Sequence, residues 1–233
     1  MDGGLLLVAH LRILYMKTVR IYGSARNVRE APTRTPEESD IEVWLSNSHT
    51  TTLLRCPRAI NEWTRWFNLH SHAHMVGTYP ASYTYYQTKA EGRPIYLQKV
   101  QPDVPTSVAF PREAIQARFA TSKGPTRYLT CSVCWLIALA IFEGFERIEL
   151  WGFELRDTKP GSAFAWERPC VAYWIQTARD NGADIQYQAA IHRLYEAGKM
   201  IPGDPETYDG PLYGYDTKPE PDWDSKAGTW HTS

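Results

Sequence analysis

A chain of 233 residues, 43% hydrophobic and 22% charged, carries enough apolar side chains to bury one full core without disulfide or metal staples. Lys and Arg number 25 against 26 Asp and Glu, so no field of one sign gathers a polyanion or an acidic membrane surface. Four scattered cysteines, Cys56, Cys131, Cys134 and Cys170, exclude a secreted disulfide framework and point to a reduced, cytosolic setting.

In chain order, residues 5–15 are apolar enough to suggest a signal or anchor. They are shorter than the roughly 20 residues that span a bilayer, they include His10 and Arg12, and they lack a basic leader and a small-residue cleavage site. Met16-Lys17 offers a second start directly before a strand pattern. Residues 1–15 therefore read as an extension, residues 16–200 as one α/β domain, and residues 201–233, rich in Pro, Gly, Asp and aromatic side chains, as an irregular tail.

Thr18-Val-Arg-Ile-Tyr-Gly23 alternates as a first strand and passes into a polar loop, residues 24–32. Residues 40–47 repeat the pattern, with Ile41, Val43 and Leu45 on one face and Asn47 at the end. Ligands of open α/β sheets sit outside the carboxyl ends of strands, which makes Gly23, Ser24 and Asn47 candidate contacts. Asn47 equally reads as the start of a turn. Residues 58–68 suggest a short helix leading into Trp66-Phe-Asn-Leu-His70, and the tyrosine-rich residues 79–92 have mixed periodicity. Residues 94–98 read as a buried strand, and residues 111–119 as a short helix with Pro111 in its first turn.

The strongest local signal is residues 130–144, apolar nearly all round at helical length. The segment opens with hydroxyls suited to capping at Thr130 and Ser132 and ends in glycine. A strand over residues 147–153 follows, then a charged loop over residues 154–165. Residues 166–182 form a second helix with Pro169 in its first turn, and residues 183–187 the next strand.

Helix N-termini favour phosphate, so Thr130 and Ser132 stand either as ligand contacts or as simple caps. Neither a G-x-G-x-x-G fingerprint nor a Walker loop occurs in the first strand-loop unit. Glu154, Arg156, Asp157, Glu167 and Arg168 after the second strong strand suit a general base, a divalent-ion ligand or a cation for a phosphate leaving group. They suit surface ion pairs equally well. The C-x-x-C of Cys131 and Cys134 opens an apolar helix with no second pair to complete a zinc set, and reads as buried packing. His70, His72 and His74 alternate, and read as a polar edge near the cleft rather than a metal site.

Trp66-Phe-Asn-Leu-His-Ser71, residues 111–119, residues 130–155, Phe164-Ala-Trp-Glu-Arg-Pro169 and Leu212-Tyr-Gly-Tyr215 resemble, in order, a widespread family of uncharacterised bacteriophage proteins, over about residues 16–216. The helix-strand core is similar to that of bacterial sialyltransferases. More distantly it is similar to the archaeal hydroxymethylpterin diphosphokinase-like family, which includes flagellin glycosyltransferases. The resemblance implies a Rossmann-like single-sheet domain, mostly parallel with helices on both faces, and nucleotide contacts from Ser24, Asn47, Thr130 and Ser132. Glu154 falls where the sialyltransferases carry an acidic residue. Phe164 and Arg156 fall where they carry tyrosines that assist the leaving phosphate, and the segment with their base histidine has no counterpart.

The resulting expectation is a phage-encoded transferase in the host cytoplasm, without a membrane partner, that takes a nucleotide-activated donor, foremost a nucleotide sugar. Gly23, Ser24, Asn47, His70, Thr130 and Ser132 would bind the donor. Glu154 or Glu167 would act as base or as ligand to an optional divalent metal, and Arg156 or Arg168 would support the leaving group. The acceptor stays open among a DNA base, a protein and a glycan. Two alternatives stand beside it: ATP-dependent diphosphate transfer of the pterin type, and a non-catalytic nucleotide-binding or virion-associated protein.

Overall fold

The strand pattern at the start of the chain folds as β1 (Thr18–Tyr22), in which all five residues are buried. In the computed structural model, which describes residues 16–47, 49–155, 164–215, 223–224 and 229–230, β1 is an interior strand of a seven-stranded sheet. The other strands are β2 (Glu42–Ser46), β3 (Arg65–Asn68), β4 (Ile95–Leu97), β5 (Ser107–Ala109), β6 (Arg147–Trp151) and β7 (Asp184–Tyr187). The order is β5-β4-β3-β2-β1-β6-β7, and every pairing within this sheet is parallel. This is a Rossmann-like, single-sheet α/β architecture.

Parallel neighbours need crossovers, and the helices supply them on both faces. Val19, Ile21, Trp44, Phe67, Ile148 and Leu150 face one core, closed by α5 (Arg112–Arg118), α6 (Ser132–Phe142) and α7 (Phe164–Asp180). Tyr22, Val43, Leu45, Trp66, Ile95 and Leu97 face the other. That side is closed by a 3-10 turn (Arg26–Glu30) and by α2 (Ala59–Glu62), α3 (His72–Thr78) and α4 (Pro80–Thr88), with α1 (His49–Arg55) next to β2. After β7 the chain makes α8 (Ala189–Glu196). In α6 every residue from Ser132 to Ala140 is buried, which is why its sequence is apolar all round rather than striped.

Three expectations change. The stretch before His70 is a short helix followed by a true strand, β3. Residues 79–92 contain the helix α4, started by Pro80 and holding Tyr83 and Tyr86 in the core. Pro169 lies inside α7 rather than in its first turn, because the helix begins at Phe164. With no N–H, Pro169 removes one helical hydrogen bond, and its own carbonyl accepts the Gly203 N–H at 3.1 Å.

Residues 201–215 contain neither helix nor strand, yet they are packed. Leu212 is buried, the Tyr213 N–H bonds the Leu129 carbonyl at 3.1 Å, and Trp135 Nε1 donates to the Tyr213 carbonyl at 3.3 Å. Beyond them Trp223–Asp224 pairs antiparallel with Thr229–Trp230. Residues 1–15 lie outside the described residues.

Candidate functional site at the carboxyl edge of the sheet

The strand order runs outward from β1 to β5 on one side and resumes with β6 and β7 on the other, so the crossover direction reverses between β1 and β6. In open α/β sheets that reversal, at the carboxyl ends, is where ligands bind. The loops meeting there are tied together by backbone. The Gly23 N–H donates to the Trp151 carbonyl at 2.8 Å, and the Ala25 N–H to the Gly152 carbonyl at 2.9 Å. Thr52 Oγ1 donates to the Gly23 carbonyl at 3.3 Å, and the Arg55 guanidinium to the Ser24 carbonyl. Gln188, just past β7, accepts the Gly152 N–H at 2.7 Å and donates Nε2 to the Asn27 carbonyl at 2.6 Å. Gly23 is therefore buried between two loops, while Ser24 beside it is half-buried.

Asn47 ends β2 in the left-handed region, at φ 58°, a conformation that asparagine tolerates better than most residues. Its carbonyl accepts Trp66 Nε1 at 3.0 Å and the Tyr86 hydroxyl at 3.1 Å. Its side-chain Nδ2 donates to Ser132 Oγ at 3.0 Å, joining two candidate residues 85 positions apart. The buried Asn47 Oδ1 and Thr130 Oγ1 have no hydrogen-bond partner among the described residues. The expected hydroxyl cap is absent. The N-cap of α6 is Cys131, whose side chain makes no capping hydrogen bond; the helix begins two residues past Thr130, with Ser132 as its first residue. The start of an α-helix presents first-turn N–H groups that suit an anionic acceptor.

Substitution separates the two roles of Asn47. Asn47→Gly keeps the positive φ and loses one hydrogen bond, so urea unfolding is expected to register a loss of about 1 kcal/mol. Asn47→Ala adds left-handed strain of about 1–2 kcal/mol and should be the worse of the two. Equal losses would mean that the backbone conformation is not what selects asparagine.

The three histidines do not converge, because α3 begins at His72, with Ser71 Oγ accepting the His74 N–H, and a helix spreads alternate residues apart. His72 Nε2 meets the Tyr83 hydroxyl at 3.0 Å, and that hydroxyl donates to Asp103 at 2.8 Å. His70 has a different set of partners. It follows Asn68, a fully buried residue whose Oδ1 accepts the His70 N–H at 3.2 Å and whose Nδ2 donates to Tyr86 at 3.3 Å. The His70 Nε2 lies 3.2 Å from the Tyr213 hydroxyl, and its ring centroid lies 4.6 Å from that of His74.

Burial, and secondarily His74, push the His70 imidazole down to about 4. The folded ring stays neutral where the unfolded one, near 6.5, takes a proton, so the unfolded state binds more protons between these values. The stability tied to neutral His70 is complete above about pH 6.5 and is lost as pH falls toward 4. In thermal unfolding across this window, His70→Gln is expected to show a shallower decline than the parent. Parallel curves would rule His70 out as its source.

Of the charged candidates, Glu154 is half-buried three residues beyond β6, Glu167 is half-buried in the first turn of α7, and Arg168 is buried. Burial raises the Cys131 thiol, the Cys134 hydrogen bond lowers it and the Glu167 carboxylate raises it again, which brings the starts of α6 and α7 within electrostatic reach. Arg156 and Asp157 lie outside the described residues. Among the described residues no group of three or more His, Cys, Asp and Glu side chains is placed to hold a metal ion.

Asn68 and Gln188 are the polar residues of this edge that the sequence reading passes over. Asn68 ends a strand just as Asn47 does, a usable signal once β3 is recognised. Gln188 acts on the backbone of Gly152, 36 residues away, and has no sequence signature.

Fold and site together define a Rossmann-like α/β protein in which strand ends β1, β2, β3 and β6 and the helix starts α6 and α7 share one edge. No family model, curated protein or solved structure matches the chain. Among the described residues no helix is long and apolar enough to cross a membrane.

Proposed function

We propose that this chain is a phage-encoded transferase that binds a nucleotide-activated donor at the carboxyl edge of the sheet, foremost a nucleotide-sugar glycosyltransferase of the host cytoplasm. The observation that carries the reading is the Asn47–Ser132 hydrogen bond at the uncapped start of α6, beside the strand-order reversal. A donor phosphate at that start would accept first-turn N–H groups and the Thr130 hydroxyl, and the dipole of an 11-residue helix favours its charge. Asn47 and Ser24 would contact the nucleoside, with Gly23 supporting the loop beneath and His70 at the β3 end bordering the donor.

Transfer needs a base for the acceptor and a cation for the departing phosphate. Glu154 or Glu167 supplies the first, and Arg156 or Arg168 the second. The acceptor is a DNA base, a protein or a glycan.

Titration calorimetry of the full chain against nucleoside mono-, di- and triphosphates and nucleotide sugars is the test. Ser132→Ala is expected to weaken binding about tenfold, equivalent to about 1.4 kcal/mol. Binding by none of the panel overturns the proposal. Release of AMP from ATP would replace it with diphosphate transfer, and binding without turnover with a ligand-holding protein.

A further inference from the structure

Three of the four thiols meet between the start of α6 and the second turn of α7. Cys131, the N-cap of α6, and Cys134, one turn on, have sulfurs 3.4 Å apart. Cys170 of α7 lies beside Cys134 and donates to the Tyr128 carbonyl at 3.2 Å. Cys56 belongs to the core on the opposite sheet face. Simple packing of small apolar side chains requires no such contact, and the first turn of a helix is the place where two cysteines spaced C-x-x-C bring their sulfurs together with little backbone movement.

We infer that Cys131 and Cys134 form a reversible dithiol–disulfide site, closed by exchange with a small disulfide of the glutathione class. This does not depend on what the cleft binds. Cys131 is the attacking sulfur, since it is 6% exposed and Cys134 is 0% exposed, and it stands at the N-cap of α6, where the positive end of the helix dipole favours a thiolate. After giving up its proton, Cys131 attacks one sulfur of the small disulfide. That S–S bond breaks, one small thiolate leaves, and a mixed disulfide remains on Cys131. Cys134, deprotonated in turn, attacks the Cys131 sulfur and expels the second small thiolate. Two electrons pass from the protein to the small disulfide, and the two protein protons end on the two released thiols. The closed bond joins the N-cap to the first turn around Ser132, the residue bonded to Asn47.

Burial pushes both thiols above their ordinary range. Exchange is therefore slow near neutrality and accelerates by about tenfold per pH unit as the thiolate fraction rises.

The native full chain, incubated with oxidised glutathione, quenched with acid, alkylated after unfolding and digested with trypsin, gives a direct readout by mass spectrometry. Residues 128–147 form one tryptic peptide holding both cysteines and no internal Lys or Arg. That peptide is expected to lose two hydrogens and refuse the alkylating agent, to recover both thiols with dithiothreitol, and to leave Cys56 and Cys170 alkylated. In Cys134→Ser the reaction should stop at a glutathione adduct on Cys131. The inference is overturned if native protein keeps both thiols while the urea-unfolded chain oxidises, if the parent stalls as a mixed adduct, or if Cys134 is found joined to Cys170.

Discussion

Gly152→Ala is expected to lower the unfolding free energy by about 2–5 kcal/mol and to abolish the donor binding proposed for the carboxyl edge, because two separate terms act at one position. The first is conformational. Gly152 has φ 79°, where a Cβ meets the following carbonyl at a cost of about 1–2 kcal/mol. The second is contact. A Cβ there would stand 2.8 Å from the Val28 Cβ and 2.9 Å from the Gly23 carbonyl oxygen, both held by the loop after β1. Overpacking of this kind costs about 1–3 kcal/mol. Gly92, at φ 80° with nothing within 4 Å of a built Cβ, isolates the first term, so Gly92→Ala should lose only about 1–2 kcal/mol.

The reciprocal change, Gly23→Ala, brings a Cβ to 2.5 Å from the Gly152 carbonyl and is also expected to be destabilising. Each residue presses on the other, so the double variant should lose less than the sum of the singles. Urea midpoints at constant m-value read all four proteins. A Gly152→Ala no worse than Gly92→Ala would show that the two loops part freely.

How much of this was legible in the sequence follows from how each element buries its side chains. β1, β2, α6, β6 and α7 announce themselves because their apolar positions are long or periodic enough to exclude other structures. β3 does not: Trp66 and Phe67 point to opposite faces and both are buried, which leaves four residues with no alternation to read. β5 is a three-residue edge strand with Val108 and Ala109 exposed, so no hydrophobic signal marks it. At the site, Asn47 and Ser132 were each identifiable from their place at an element end, but their mutual bond needs the fold to join distant segments. The capping expectation for Thr130 and Ser132 rested on residue type, whereas the start of the helix is fixed by where the chain turns, at Cys131.

The alternation in β1 also hides something. Arg20 occupies what looks like a solvent-facing position, yet it is 4% exposed, since the sheet is covered on both faces. Its Nε donates to Glu149 at 3.0 Å and its Nη2 to Glu38 at 2.6 Å, while Arg147 Nε and Trp151 Nε1 reach the same Glu149 at 2.9 and 3.3 Å. Breaking one side of such a network strands the other, so Arg20→Met is expected to lose about 3–5 kcal/mol in urea unfolding. Arg20→Met with Glu149→Leu, which removes the stranded carboxylate too, should recover a substantial part of that loss. Acid supplies an independent check. The Arg20 guanidinium holds the Glu38 carboxyl below the usual glutamate range. Because that folded value is depressed, the contribution is fully present above the unfolded value of about 4.3 and disappears as pH falls through the folded one. The parent should therefore lose stability more steeply than Arg20→Met below that point. A double variant as unstable as the single, with acid profiles unchanged, would place the worth of Arg20 in the packing of its alkyl stem rather than in its charge.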